Sequence, residues 1–245
     1  MLNSEYLSNL NENQREAVEC LDGPLLIVAG AGSGKTKVLT SRIAHIIKKN
    51  KAFPNQILAV TFTNKAAKEM QLRVSKLLRK DATGLPWLGT FHSISAKLLR
   101  KHADAVGLKS NFSIIDQDDQ VRLIKNICKA ENVDIKKISP KFILAIIDKW
   151  KNKGFYPQDV ILKRKDPLEK NFLSIYKIYQ EKLVNLNSAD FSDLILHTLK
   201  IFEKYTDIAE LYSKKFKYIL VDEYQDTNFI QSEWLRHLSG HNKNI

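Results

Sequence analysis

Two short patterns constrain this chain more than any bulk property. The octet Ala29-Gly30-Ala31-Gly32-Ser33-Gly34-Lys35-Thr36 follows the apolar run Leu25-Leu26-Ile27-Val28. The acidic stretch Asp222-Glu223-Tyr224-Gln225-Asp226 follows a second apolar run, Tyr218-Ile219-Leu220-Val221, with Asp222 lying 187 positions beyond Lys35. A glycine-rich turn between a buried strand and a helix aims backbone N–H groups at phosphates, and the helix dipole favours an anion there. The pair of patterns predicts an α/β fold built on a parallel sheet, with one ATP site assembled from both. Lys35 is the residue to reach the β- and γ-phosphates, and the Thr36 hydroxyl is a ligand for Mg²⁺. Ala29 occupies the first position of the GxxxxGK[ST] pattern, so the strict form is missed by one methyl group. Asp222 is the expected second Mg²⁺ ligand, and Glu223 the group that polarises an attacking water.

The bulk properties set the class. The hydrophobic fraction of 44% beside 27% charged residues describes a globular chain. No stretch reaches the 18 or so apolar residues of a membrane span, and the N-terminus lacks the pattern of a signal peptide. Cys20 and Cys128 sit on apparent helices without metal-ligand spacing, which reads as reduced, partly buried thiols in a cytoplasmic protein. The net charge of +12 is uneven: residues 1–103 hold 16 Lys/Arg against 7 Asp/Glu, 104–200 hold 17 against 13, and 201–245 hold 6 against 7. The excess lies beside the phosphate loop, which fits a polyanionic partner. A chain rich in Lys, Asn and Ile also acquires such a charge from AT-biased coding alone.

Periodicity gives the organisation. A short helix through Ala17-Val18 precedes a first strand at 25–28. After the loop, Leu39, Ile43, Ile46 and Ile47 form one helical face. Residues 57–60 read as a second strand, running into a helix over 64–80 with Ala66, Met70, Val74, Leu77 and Leu78 inward. Lys65, Lys68, Arg73, Lys76, Arg79 and Lys80 lie on its other sides. A short strand at 88–91 leads into a helix over 93–102. From about 104 to 190 the reading is almost all helical. Asp116 caps one helix, Ser139-Pro140 opens another, and Gly154 stops it after Lys153. Two more helices follow, near 170–185 and 188–205, before a strand at 218–222. The expectation is a helical insertion, 104–190, in an α/β domain formed by 1–103 and 191–245.

The motifs occur in a specific order. Leu10-Asn11-x-x-Gln14-x-x-Ala17-Val18 comes first, then the octet, then Thr61-Phe62-Thr63-Asn64-Lys65-Ala66-Ala67-x-Glu69-Met70. Gly89-Thr90-Phe91-His92-Ser93, Asp190-Phe191-Ser192-Asp193-Leu194 and Val221-Asp222-Glu223-Tyr224-Gln225-Asp226-Thr227-Asn228 follow. Across nearly the whole chain this resembles the UvrD/Rep/PcrA group of superfamily 1 DNA helicases. The resemblance implies a RecA-like P-loop NTPase sheet with an all-helical, 1B-like insertion smaller than those of RecB-type nuclease subunits. It implies ATP and Mg²⁺ as ligands, single-stranded DNA and single-strand/duplex junctions as partners, and a nucleoid-associated cytoplasmic setting.

Roles follow residue by residue. Gln14 is expected to pair with the adenine edge, and Ala29, Gly30, Ala31, Gly32, Ser33, Gly34, Lys35, Thr36 and Lys37 to surround the nucleotide. Lys37 stands where relatives often have Arg, which keeps the charge but not the planar two-pronged geometry. Gln225 matches a residue that senses the γ-phosphate. Phe62, Thr63 and Asn64, with Thr90, Phe91 and His92, match DNA-contacting segments, an aromatic for stacking beside small polar groups for phosphate. Locally, Phe62 reads equally well as a buried strand end, Asn64 as a helix cap and His92 as a structural histidine. The family pattern continues past residue 245 into another strand of the same sheet, a second RecA-like domain and arginines that stabilise phosphoryl transfer. The expectation is therefore an incomplete sheet, and little or no turnover from these 245 residues alone.

Overall fold

The computed structural model describes residues 5–30, 32–78, 84–133, 135, 137–162 and 167–245. In chain order the regular elements are α1 (Glu5–Ser8), α2 (Glu12–Glu19), α3 (Lys35–Lys48), β1 (Ile57–Thr61), α4 (Asn64–Leu78), β2 (Leu88–Thr90), α5 (Phe91–Lys101) and β3 (Ser113–Ile114). Then come α6 (Gln117–Ala130), α7 (Pro140–Lys151), α8 (Pro167–Asn185), β4 (Ser188–Ala189), α9 (Phe191–Lys204), α10 (Thr206–Lys215), β5 (Tyr218–Val221) and α11 (Phe229–Ser239). The chain divides into two compact units. One comprises Met1–Ile94, Thr206–Thr227 and Leu235–Ile245, the other Ser95–Tyr205 and Asn228–Trp234.

The first unit is built on a parallel sheet of order β2-β1-β5. All five residues of β1 are buried, as a central strand covered on both faces requires. Ile57 and Ala59 point into a core with Ile43 and Ile46 of α3, Met70 and Val74 of α4, and Leu220 of β5. On α4 it is Ala67, not Ala66, that is buried, and Thr63 caps the helix by accepting from the Ala66 N–H at 3.1 Å. The expected end of that helix at Arg79 and Lys80 lies outside the described residues.

The expected strand at 25–28 does not form. Residues 24–30 carry no regular structure, although their exposure alternates with the two-residue period of an extended chain. Leu26 and Val28 are 74% and 87% exposed. A strand exists through its ladder, and here one bond is present: the Leu25 N–H donates to the Ile245 carbonyl at 2.8 Å. Asn244 reaches the other side, its carbonyl accepting from the Ile219 N–H at 2.9 Å. Residues 244–245 thus sit between β5 and the segment at 23–25, where Gly23 N–H also donates to Asn244 Oδ1 at 2.8 Å.

The second unit is helical. Ile124, Ile127 and Cys128 of α6, Ile143 and Ile147 of α7, and Phe172, Tyr176 and Tyr179 of α8 share one core. Asp116 and Ser139 cap α6 and α7 as read from sequence, accepting from the N–H groups of Asp119 and Phe142. Helix α7 ends at Lys151, two residues before the expected stop, and Gly154 follows at φ 78°. The region is not wholly helical. Ser188–Ala189 pairs in parallel with Ser113–Ile114, so the last helix begins at Phe191, capped by Asp190. Cys20 is exposed and Cys128 buried, both unpaired. Among the described residues no helix is long and apolar enough to cross a membrane.

Candidate nucleotide-binding site

Strand register brings the motif segments together. Thr61 pairs with Thr90 across β1 and β2, and Val60 with Val221 across β1 and β5. Phe62–Asn64, Phe91–His92 and Asp222–Gln225 therefore leave the carboxyl ends of three neighbouring parallel strands, where open α/β sheets bind ligands.

The phosphate loop is shaped by two glycines in the left-handed region, Gly32 at φ 76° and Gly34 at φ 88°. Gly34 is the N-cap of α3 and leaves that end without a side-chain cap, so its N–H groups remain available to an anion. A methyl group on Gly34 would come within 3.1 Å of Gln14 Nε2. Ser33 closes the turn, its Oγ donating to the Gly30 carbonyl at 2.6 Å. The Lys35 ammonium folds over the loop, 3.1 Å from the Ala29 carbonyl and 3.3 Å from that of Gly30. Ala31 lies outside the described residues.

Gln14 and Lys37 tie this loop to the N-terminal segment. Gln14 Oε1 accepts from the Asn11 N–H at 3.1 Å, and Asn11 Oδ1 from the Gln14 N–H at 2.8 Å, a reciprocal cap on α2. Gln14 Nε2 then donates to the Ser33 carbonyl at 2.9 Å. Lys37 Nζ donates to the Asn9 carbonyl. Both side chains are thus engaged by protein atoms, though the Gln14 amide keeps a second N–H and a second lone pair.

Asp222 is buried at the end of β5, its N–H donating to the Val60 carbonyl at 2.9 Å. Burial raises its pKa above the ordinary carboxylate value and Glu223 adds to this, while Lys35 and a hydrogen bond with Thr61 act the other way. Glu223 stands in the left-handed region at φ 51°, an uncommon place for a side-chain-bearing residue, and its carboxylate accepts from Gln225 Nε2. Together Gly32, Gly34, Lys35, Thr36, Lys37, Arg73, Glu223 and Gln225 line one cavity of about 550 Å³. Arg73 is the residue that the sequence did not single out. It looks like one more exposed base on α4, bonded to Glu69 at 2.5 Å, and no local motif marks it. A larger hollow of about 1020 Å³ in the helical unit is lined by none of the candidate site residues.

The oxygen donors of Thr36 and Asp222 are of the type Mg²⁺ takes, and a cation would relieve the repulsion between Asp222 and Glu223. At the other two strand ends the exposures differ. Phe91 is 1% exposed, its ring 5.7 Å from that of half-buried Phe62. Thr90 is buried, its N–H donating to Ser93 Oγ at 2.9 Å, whereas Thr63 and Asn64 are exposed and His92 is half-buried. Burial holds the His92 pKa below its ordinary value.

A probable DNA helicase II homolog from Rickettsia conorii is 47% identical over 248 residues, covering 100% of this chain and 38% of that protein. The ATP-dependent DNA helicases PcrA of Staphylococcus epidermidis and Bacillus subtilis are 44% and 43% identical, covering 98% and 100% of this chain and 33% of theirs. The chain thus spans 33–38% of the length of these relatives. Residues 10–245 match the family model described as UvrD/REP helicase N-terminal domain, and the chain belongs to that family.

Proposed function

We propose that this chain is the ATP-binding half of a DNA helicase motor. The observation that carries the reading is the shared cavity, which collects Gly34, Lys35 and Thr36 from the glycine loop with Glu223 and Gln225 from the acidic motif. Lys35 and the N-terminus of α3 bind the phosphates, and Gln14 stands beside the loop where the base would lie. Thr36 and Asp222 would hold Mg²⁺, which would supply charge neutralisation on the phosphate oxygens. Glu223 orients the attacking water, Gln225 reads the terminal phosphate, and Arg73 adds a cation to the cavity wall. Single-stranded DNA runs along Phe62–Asn64 and Thr90–His92. The exposed Lys65, Lys68 and Lys76 of α4 supply sequence-independent attraction there. Because Phe91 is buried, its part is to back Phe62, which offers the stacking face.

In architecture the first unit corresponds to a RecA-like sheet and the helical unit to a 1B-like insertion. The bonds of Asn244 and Ile245 to Ile219 and Leu25 favour a further strand running between β5 and residues 25–28. In a protein of the relatives' full length the activity is ATP-driven translocation, 3′ to 5′ on single-stranded DNA, with unwinding at junctions during repair or replication restart. Unwinding only from 5′ tails by such a protein would refute that polarity. On this reading these 245 residues bind Mg·ATP and DNA with little turnover: Arg73 is the one arginine among the described residues lining the cavity, it is paired with Glu69, and an arginine that stabilises phosphoryl transfer is worth about 10³–10⁵ in rate. The direct test is titration with a fluorescent Mg·ATP analogue beside Lys35→Ala, followed by hydrolysis assays with and without a single-stranded oligonucleotide. Binding lost in Lys35→Ala supports the reading. Equal binding by both chains would refute it, and fast DNA-stimulated hydrolysis would refute the half-site.

A further inference from the structure

Asn228 follows Asp226 by two residues and belongs to the helical unit. Its side chain acts in two directions. Oδ1 accepts from the Gln231 N–H at 3.0 Å, capping the start of α11, and Nδ2 donates to Asn152 Oδ1 at 2.9 Å. Six residues on, the buried Trp234 donates its indole N–H to Thr198 Oγ1 at 3.2 Å. The segment that leaves the acidic motif is therefore held at Asn152, the residue that caps the C-terminus of α7, and at Thr198 on α9.

Those two helices are joined by a sealed charge cluster. Lys151, the neighbour of Asn152, has no exposed side-chain surface, and its Nζ lies 2.6 Å from Asp190 Oδ2 and 2.7 Å from Asp193 Oδ1. Tyr179 OH donates to Asp190 Oδ2 at 2.9 Å, and Gln180 Nε2 to Asp193 Oδ1 at 2.9 Å. Such a cluster fixes geometry more than it adds stability, since desolvating the charges offsets much of their attraction. What it fixes is the last turn of α7, where Asn152 stands.

Upstream, the restraint has something to act on. Turn hydrogen bonds run from Thr227 N–H to the Tyr224 carbonyl at 3.1 Å and from Asp226 N–H to the Glu223 carbonyl at 2.9 Å. They end at Glu223, whose left-handed backbone persists only when its surroundings enforce it.

We propose that Asn152, set in place by the Lys151–Asp190–Asp193 cluster, is a positioning residue that anchors the trailing end of the acidic motif through Asn228. The Asp190/Asp193 motif thereby has a mechanical role: it steadies Glu223 and Gln225 without touching nucleotide. The anchoring stands on its own, and its effect on nucleotide binding rests on the proposed function.

Two substitutions at Asn152 test it. Asn152→Ala removes the acceptor, and Asn152→Asp keeps it. Both lose the donation from Asn152 Nδ2 to the Asp148 carbonyl (2.8 Å), so that loss cancels between them, and repeating the comparison at high salt screens the charge that aspartate adds at the end of α7. The readouts are amide hydrogen exchange over residues 222–230 of the whole chain, and affinity for a fluorescent Mg·ATP analogue. In Asn152→Ala, exchange over 222–230 should rise about fivefold or more, the effect of one lost hydrogen bond. Affinity should fall by a similar factor, while Asn152→Asp tracks the unaltered chain. Unchanged exchange in Asn152→Ala, or an Asn152→Asp chain that behaves like it, overturns the proposal. Absence of nucleotide binding by the unaltered chain would refute the nucleotide reading alone, and the exchange comparison would still decide the anchoring.

Discussion

Gln14 Nε2 donates to the carbonyl of Ser33 at 2.9 Å, so the residue expected to read the base also holds the phosphate loop. Gln14→Ala should therefore do two things. It should cost roughly 1 kcal/mol through loss of the α2 cap. It should also weaken Mg·ATP binding by more than that cap explains. Asn11→Ala, which breaks the cap and leaves the Ser33 contact, is the control. Calorimetric melting and nucleotide titration on both variants check it, and equal affinity loss in the two would assign the whole effect to the helix.

Gly34→Ala places a side chain at φ 88° and a methyl group 3.1 Å from Gln14 Nε2. The backbone alone costs about 1–2 kcal/mol. Thermal melting should show the loss, and nucleotide affinity should fall about tenfold or more. Ser33→Ala, which removes one exposed hydrogen bond, should change the melting temperature far less.

Lys151→Met should be among the most destabilising single changes in the helical unit, on the order of 3–5 kcal/mol, because it strands Asp190 and Asp193 without a cation. Adding Asp190→Asn to it should return part of that loss. Urea unfolding of the single and double variants measures the recovery, and strictly additive effects would sink the idea of one coupled cluster.

Burial, helped by Asp193, pushes the Asp190 carboxyl up to about 6, while Lys151 holds Asp193 below its ordinary value despite burial. A raised carboxyl contributes stability that is complete below its unfolded pKa and is lost as pH rises through about 6. Asp193 acts oppositely, its contribution fading below the ordinary carboxylate range. His197, kept neutral by burial, also opposes, losing its contribution as pH falls. The Asp190 share is therefore the difference between the unaltered chain and Asp190→Asn. That difference should shift in favour of Asn by on the order of 1 kcal/mol between pH 5 and pH 7.5. Urea midpoints at the two pH values measure it, and a pH-independent difference would show that Asp190 does not titrate there.

Much of this could be read before the fold was known, because the informative chemistry is local. The caps Asp116 and Ser139, the strand read at 57–60 and the two glycines of the loop each follow from neighbours within a few residues. Where the reading failed, the deciding partner lay far along the chain. Residues 25–28 have a strand's alternation but a ladder of one bond, and composition cannot supply a missing neighbour. Arg73 joins the phosphate-loop cavity from the middle of a helix whose other bases face solvent. Asp190 and Asp193 were legible as a motif, but Lys151, 39 residues before Asp190, gave no sign of being their counter-charge. The helix at Phe91 starts two residues early because β2 ends where its pairing with Thr61 ends.

The register Ile57↔Tyr218 also sets a timetable for the chain as it is made. Strand β1 leaves the ribosome long before β5, and at 5–20 residues per second the interval is on the order of ten seconds. β2 arrives soon after β1 and covers one edge, whereas the other edge waits for β5. The residues between β2 and β5 include most of the helical unit, whose contacts are nearer in sequence and close sooner. Newborn chains should therefore pass through a stage with a largely formed helical unit and a half-built sheet, in which the buried face of β1 is open to chaperones and to other chains.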